Sequence, residues 1–225
     1  IEQWNSNLEE RTNGRISVEY VNIGGEEDQI DAVASGSVEA QGTSLGSLAE
    51  AFGNEYAFIE APFVAQSWDH FQAMLDEWVF ADGEFNDQMV EQGGQRILDA
   101  SYRGWRGVTS NMVVDHPDTM QDVPMRLPQF EAWVNAWEEI GADAVPVAYD
   151  ELYQALETGV VESSEGPIQQ FVDGSLYEVQ THFSQTDHLL QTFQWVINEE
   201  FWQEIPSEDQ EQVQEALSEA TAWAR

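Results

Sequence analysis

The residues with the most pointed chemistry in this chain are its arginines. Seven basic residues stand against 43 acidic ones, giving a formal net charge of −36, and none of the seven is lysine. Four of them, Arg96, Arg103, Arg106 and Arg126, crowd into one stretch of sequence. A guanidinium presents a planar pair of donors matched to a carboxylate and cannot titrate away. In so anionic a chain an arginine either holds one of the protein's own carboxylates or receives one carried by a ligand. Arg126 lies in the short apolar run Met125-Arg126-Leu127 closed by Pro128, an odd place for a merely solvated side chain. On composition alone an internal salt bridge is still the better account of it.

Other chemistry is sparser. Gly42-Thr43-Ser44-Leu45-Gly46 fits the Gly-x-Ser-x-Gly pattern of a nucleophile elbow, which makes an α/β serine hydrolase using Ser44 the alternative reading. The strand before it carries Glu39 and Gln41, too polar for the buried central strand of a hydrolase, and no His-Gly-Gly oxyanion loop precedes it. The bland reading is a tight turn at a strand's carboxyl end, where Ser44 can touch a ligand. His70, His116, His182 and His188 lack the spacing of a helical zinc site. No Walker or Gly-x-Gly-x-x-Gly loop is present, so neither metal nor nucleotide cofactor is expected. Acidic pairs are too common here to signal acid–base catalysis.

The charge excludes whole classes of partner. Nucleic acid and anionic membrane surfaces require a basic face, which this chain does not have. Apolar residues make up 42% of the sequence and nine are tryptophan, so it folds despite its acidity. No run of eighteen apolar residues occurs, and direct membrane insertion is not expected. Self-repulsion at this charge weakens a fold at ordinary salt and largely vanishes near 1 M, where the screening length is roughly 3 Å. A lysine-free acidic composition is therefore expected of a protein working in strong brine.

The elements that must position these residues alternate along the chain. Helical spacing covers residues 2–13, 26–35, 67–80, 84–92, 130–140, 150–158, a stretch near 167–180, and a last helix from Ser207. Strand patterning covers Arg15–Val21, Val38–Thr43, Arg96–Tyr102, Gly107–Ser110, Pro124–Leu127, Val145–Ala148, Val160–Ser163, Thr186–Leu190 and Gln194–Asn198. Such alternation predicts α/β architecture with mostly parallel sheets. Trp133 and Trp137, spaced i, i+4, read as core. The chain begins and stops inside helices without capping signals, and a missing piece is expected at each end.

Several of these segments, taken in order, carry a resemblance. Thr12-Asn13-Gly14-Arg15-Ile16 after an amphipathic helix, Met125-Arg126-Leu127-Pro128, and Gly141-Ala142 before Val145-Pro146-Val147 are similar to solute-binding proteins of tripartite ATP-independent periplasmic (TRAP) transporters. So are Glu151-Leu152-Tyr153-Gln154-Ala155-Leu156 with Gly159-Val160-Val161, Tyr177-Glu178-Val179-Gln180, and Thr186-Asp187-His188. This C4-dicarboxylate-binding-protein-like resemblance spans nearly the whole chain and reverses the salt-bridge reading of Arg126. It implies an extracytoplasmic, two-domain receptor, not an enzyme, with a ligand cleft between domain I (1–103 plus 192–225) and domain II (104–191). It also implies a small organic acid as ligand and the membrane subunits of a TRAP transporter as partners. By the resemblance Arg126 pairs with the ligand carboxylate, Arg106 is a secondary contact, and Gln129 and Tyr149 face the ligand. Glu165, Ser44 and Glu60 complete the expected substrate-binding set. Polar Gln129, Ser44 and Glu60 favour a sugar acid such as a uronate or aldonate. Where the family commonly has Glu-Asn-Pro this chain has Glu165-Gly166-Pro167, which removes an amide contact.

Overall fold

The computed structural model describes residues 2–80 and 83–223. The chain opens with helices α1 (Glu2–Thr12) and α2 (Glu26–Ala34), strand β1 (Ala40–Ser44), and helices α3 (Leu45–Phe52), α4 (Trp68–Trp78) and α5 (Glu84–Gly93). Strand β2 (Gln95–Ser110) leads to β3 (Pro124–Leu127), α6 (Glu131–Ile140), β4 (Asp143–Pro146), α7 (Leu152–Thr158), β5 (Ser163–Pro167) and α8 (Ile168–Asp173). Strand β6 (His182–Asn198), α9 (Glu199–Glu204) and α10 (Ser207–Trp223) follow. In hydrogen-bonding order the strands run β1-β6-β2-β5-β3-β4.

Two compact units divide the chain. One holds Ile1–Tyr56, Ala73–Tyr102 and Thr192–Arg225; the other holds Ala57–Gln72 and Arg103–Gln191. Residues 57–72 therefore group with the second unit, a segment the sequence assigned to the first. Strands β2 and β6 each contribute one half to either unit.

In the first unit α1 lies on α10. Trp4 and Leu8 bury against Val213, Ala216 and Leu217, with Ile197 and Trp202 completing the cluster. Arg11 reinforces this pairing through Glu215 at 2.6 Å and Glu219 at 2.5 Å. The strand expected over Arg15–Val21 is absent. Its alternation is real, because Ile16 and Val18 pack on this cluster, but the Val18 N–H goes to Asn5 Oδ1 at 2.6 Å instead of a neighbouring strand.

The second unit is built on three strands read as β-α-β-α-β-α. Strand β3 runs parallel to both β4 and β5, whereas β2 pairs antiparallel with β5, and β1 pairs antiparallel with β6 in the first unit. The α/β class holds, but the sheet is mixed where mostly parallel pairing was expected. The separate strand runs at 96–102 and 107–110 are one strand, as are those at 186–190 and 194–198. Gly104 lets β2 continue at φ +97°, a left-handed value that only glycine adopts freely. The strand read at Val160–Ser163 begins only at Ser163, and α9 has no counterpart in the sequence reading.

Side-chain alternation gives this part of the sheet two distinct faces. Val108, Met125 and Leu127 point to one, where they bury against Trp137 of α6, Met120 and Ala142. Val145 of β4 belongs to the other, where Leu152, Ala155 and Leu156 of α7 and Phe171 of α8 pack.

Candidate functional site

The two central arginines of the second unit fall on opposite faces. Arg126 pairs in register with Ser164 of β5 and Val145 of β4, and Ser164 pairs with Thr109 of β2. Those four residues share the face covered by α7 and α8. Arg106 has the parity of Val108, whose partner is Glu165, and so belongs to the α6 face.

Arg106 is held by the protein itself. Its Nε and Nη2 donate to the two Glu165 carboxylate oxygens at 2.5 and 2.6 Å, a bidentate fork. Nη2 also donates to the Glu165 carbonyl at 3.2 Å, and Nη1 donates to Gln191 Oε1. The guanidinium lies 4.7 Å from the Trp133 ring centroid, within cation–π range. His188 closes the group, its Nε2 3.1 Å from Glu165 Oε2 and its Nδ1 2.8 Å from the Thr186 hydroxyl. With the ring proton on Nε2, the hydroxyl donates to Nδ1 and both nitrogens are satisfied. The Trp137 ring meets this imidazole edge to face, 5.1 Å between centroids.

Arg106, Glu165 and His188 are 4%, 1% and 2% exposed, so every charge here depends on its partner. Burial alone pushes the Glu165 carboxyl up. The Arg106 charge, with hydrogen bonds from His188 and Arg106, outweighs it and holds the pKa at about 2 against an ordinary 4.5. Glu165 is an ion at any physiological pH.

Arg126, 3% exposed, is anchored differently. Its Nε donates to the Val147 carbonyl at 2.8 Å, which fixes the plane of the guanidinium. The Tyr149 ring centroid lies 6.0 Å from Cζ, and that tyrosine is 55% exposed. Val147 and Tyr149 follow β4, Gln129 follows β3 and is exposed, and Ile168 follows β5. These positions stand at the carboxyl ends of three parallel strands, the end at which open α/β sheets bind their ligands.

The two remaining expected residues divide between the units. Glu60 is 1% exposed and belongs to the second unit. Ser44 belongs to the first unit, 2% exposed, and serves as N-cap of α3: its Oγ accepts from the Ser47 N–H at 3.2 Å. It lies 2.5 Å from the Ser47 hydroxyl, which donates to Glu26 at 3.1 Å. The Gly-x-Ser-x-Gly segment is a strand-to-helix turn whose serine caps a helix. Sequence reasoning gave no role to His188 or Gln191, and it left Trp133 as plain core. Only the tertiary fold brings these residues together. Elsewhere Arg15 pairs with Asp209 at 2.7 Å and Arg96 with Glu199 at 2.7 Å. Among the described residues no group of His, Asp and Glu is arranged to hold a metal, and no helix is long and apolar enough to cross a membrane.

Comparison with known proteins gives a consistent picture. The family model described as bacterial extracellular solute-binding protein, family 7, matches residues 1–225. A solute-binding protein of Roseobacter denitrificans is 28% identical over 221 residues, covering 95% of this chain and 66% of its own length. A TRAP solute-binding protein from that organism, solved with bound L-galactonate, superimposes with a TM-score of 0.89 at 27% identity, over 100% of this chain and 74% of the other. A Chromohalobacter salexigens counterpart with bound D-glucuronate gives 0.90 at 25% identity, over 100% and 74%. The sialic acid-binding periplasmic protein of Vibrio cholerae is 30% identical over 156 residues, 69% of this chain and 48% of its own length. The chain thus spans about half to two thirds of the length of these two curated relatives.

Proposed function

The chain belongs to family 7 of the bacterial extracellular solute-binding proteins, and from that premise we propose that it is the receptor of a TRAP transporter, taking a small organic acid outside the cytoplasm. The ligand carboxylate binds the terminal nitrogens of Arg126, and the loaded receptor delivers the acid to the membrane subunits. The observation that carries this reading is the setting of Arg126. It is a buried arginine at the carboxyl ends of parallel strands, its plane fixed through Nε, with an exposed tyrosine beside it. Fixing the guanidinium before the ligand arrives reduces the entropy lost on binding. In an envelope of net charge −36, an anionic ligand needs a cationic group where it binds, and an arginine meets that need.

Arg106 and Glu165 take a supporting part. Glu165 neutralises Arg106, so this pair orders the backbone of β2 and β5 beside the site and leaves Arg126 as the principal clamp. Tyr149 and Gln129 line the open side of the site. A sugar acid is the preferred class, supported by the galactonate and glucuronate bound to similar proteins. The test is calorimetric titration with D-glucuronate and L-galactonate of the wild type and Arg126→Ala. Heat of binding is expected from the wild type alone, and an equal response from the variant would retire the carboxylate clamp.

A further inference from the structure

Gln170 of α8 is 7% exposed, and no contact described so far accounts for its burial. Its carboxamide lies across Gly166. A Cβ built on that glycine would stand 2.7 Å from Cδ, 2.7 Å from Oε1 and 2.9 Å from Nε2. Three such similar distances lay the amide over the backbone near the end of β5, where a Cβ fits only if the Gln170 amide moves aside. Nε2 reaches the Glu165 carbonyl at only 3.5 Å, a weak bond for a buried donor.

Strand parity gives the direction. Gly166 shares its face with Ser164, the register partner of Arg126, so the Gln170 amide lies on the Arg126 face. Gly166 is two residues, roughly 6.6 Å, further toward the carboxyl end of β5 than Ser164. A carboxamide both donates and accepts, as a hydroxyl does, whereas a carboxylate only accepts. A hydroxylated chain can therefore use both halves of the Gln170 amide, and a second carboxylate can use only one.

We propose that Gln170 is a specificity-determining residue of the carboxylate site, exchanging hydrogen bonds with hydroxyls of a ligand whose acid group is held by Arg126. The site then selects polyhydroxylated acids over plain dicarboxylates. This rests on the Arg126 reading, and the experiment separates the two. D-Glucuronate, L-galactonate and succinate are titrated against the wild type, Gln170→Leu, Gly166→Ala and Arg126→Ala. Leucine nearly preserves volume and removes the amide; alanine at 166 keeps the amide and displaces it. The sugar-acid-to-succinate affinity ratio, a limiting value where succinate is undetectable, is expected to fall roughly five- to tenfold in both Gln170→Leu and Gly166→Ala. A purely structural role would lower all three affinities together and leave the ratio unchanged. Arg126→Ala is expected to lose all three ligands. An unchanged ratio in either folded variant overturns the Gln170 assignment while the Arg126 reading stands; should Gln170→Leu fail to fold, Gly166→Ala decides. No binding by the wild type, or equal binding by Arg126→Ala, overturns both.

Discussion

Arg106 and Arg126 lie twenty positions apart in sequence, are equally buried, and occupy opposite faces of one sheet. Arg106 grips a carboxylate of the same chain through a bidentate fork, with Gln191 and Trp133 around it. Arg126 is anchored by Nε to a backbone carbonyl next to an exposed ring. Burial alone does not tell a structural arginine from a binding one. The contacts differ: the first holds an internal carboxylate through a bidentate fork, whereas a backbone carbonyl orients the Nε of the second.

The comparison breaks most easily at Glu165. Glu165→Ala leaves the Arg106 charge buried without its carboxylate, and is expected to destabilise the protein by about 3–5 kcal/mol. Chemical denaturation measures this, and a loss under about 1 kcal/mol would show that the pair matters little. Arg126→Ala is expected to act on binding instead. Removing the clamp should weaken D-glucuronate at least a hundredfold, about 3 kcal/mol, read by calorimetry. If Arg126→Ala costs stability as heavily as Glu165→Ala while leaving affinity intact, the two assignments are reversed.

Acid sharpens the same contrast. The folded pKa of Glu165, about 2, lies below its ordinary 4.5, so its contribution is fully present above the unfolded value and disappears as pH falls through the folded one. The window is therefore pH 4.5 to 2, and the shift corresponds to roughly 3 kcal/mol. Between pH 5 and 2 the wild type should lose about that much more stability than Glu165→Gln, which has no carboxyl to protonate there. Parallel stability curves for the two proteins across this range would remove Glu165 as the cause.

How far these assignments are legible in sequence depends on the distance over which each is decided. The setting of Arg126 is readable because it is local: a four-residue strand closed by Pro128, then a helix ended by Gly141 in the left-handed region at φ +103°. Arg106 is not, because Glu165 lies 59 positions away and Gln191 lies 85 away. With 43 acidic residues available, only the β2–β5 register selects Glu165. Local signals also mislead when burial imitates pairing. Ile16 and Val18 alternate as a strand does because one side of an irregular segment packs on a core. Gly104 reads as a break, yet its freedom of φ keeps β2 whole. Ser44 matches an enzyme motif through the turn geometry that makes it a helix cap.

Salt is the subtlest probe, because it should move the whole protein and not the difference between variants. If the acidic composition is an adaptation to brine, raising salt from 0.1 to 1 M screens surface repulsion and the melting temperature rises, by about 10 °C if relief amounts to roughly 3 kcal/mol. The Arg106–Glu165 pair is inside, beyond the reach of mobile ions. The deficit of Glu165→Gln relative to wild type should therefore stay constant within about 0.5 kcal/mol across the series, by denaturation at each salt concentration. A deficit that shrinks with salt would mean that water and ions reach the pair, and the Arg106 guanidinium would then be open to a ligand carboxylate. A melting point indifferent to salt would instead leave the buried pair intact and end the brine explanation of the surface.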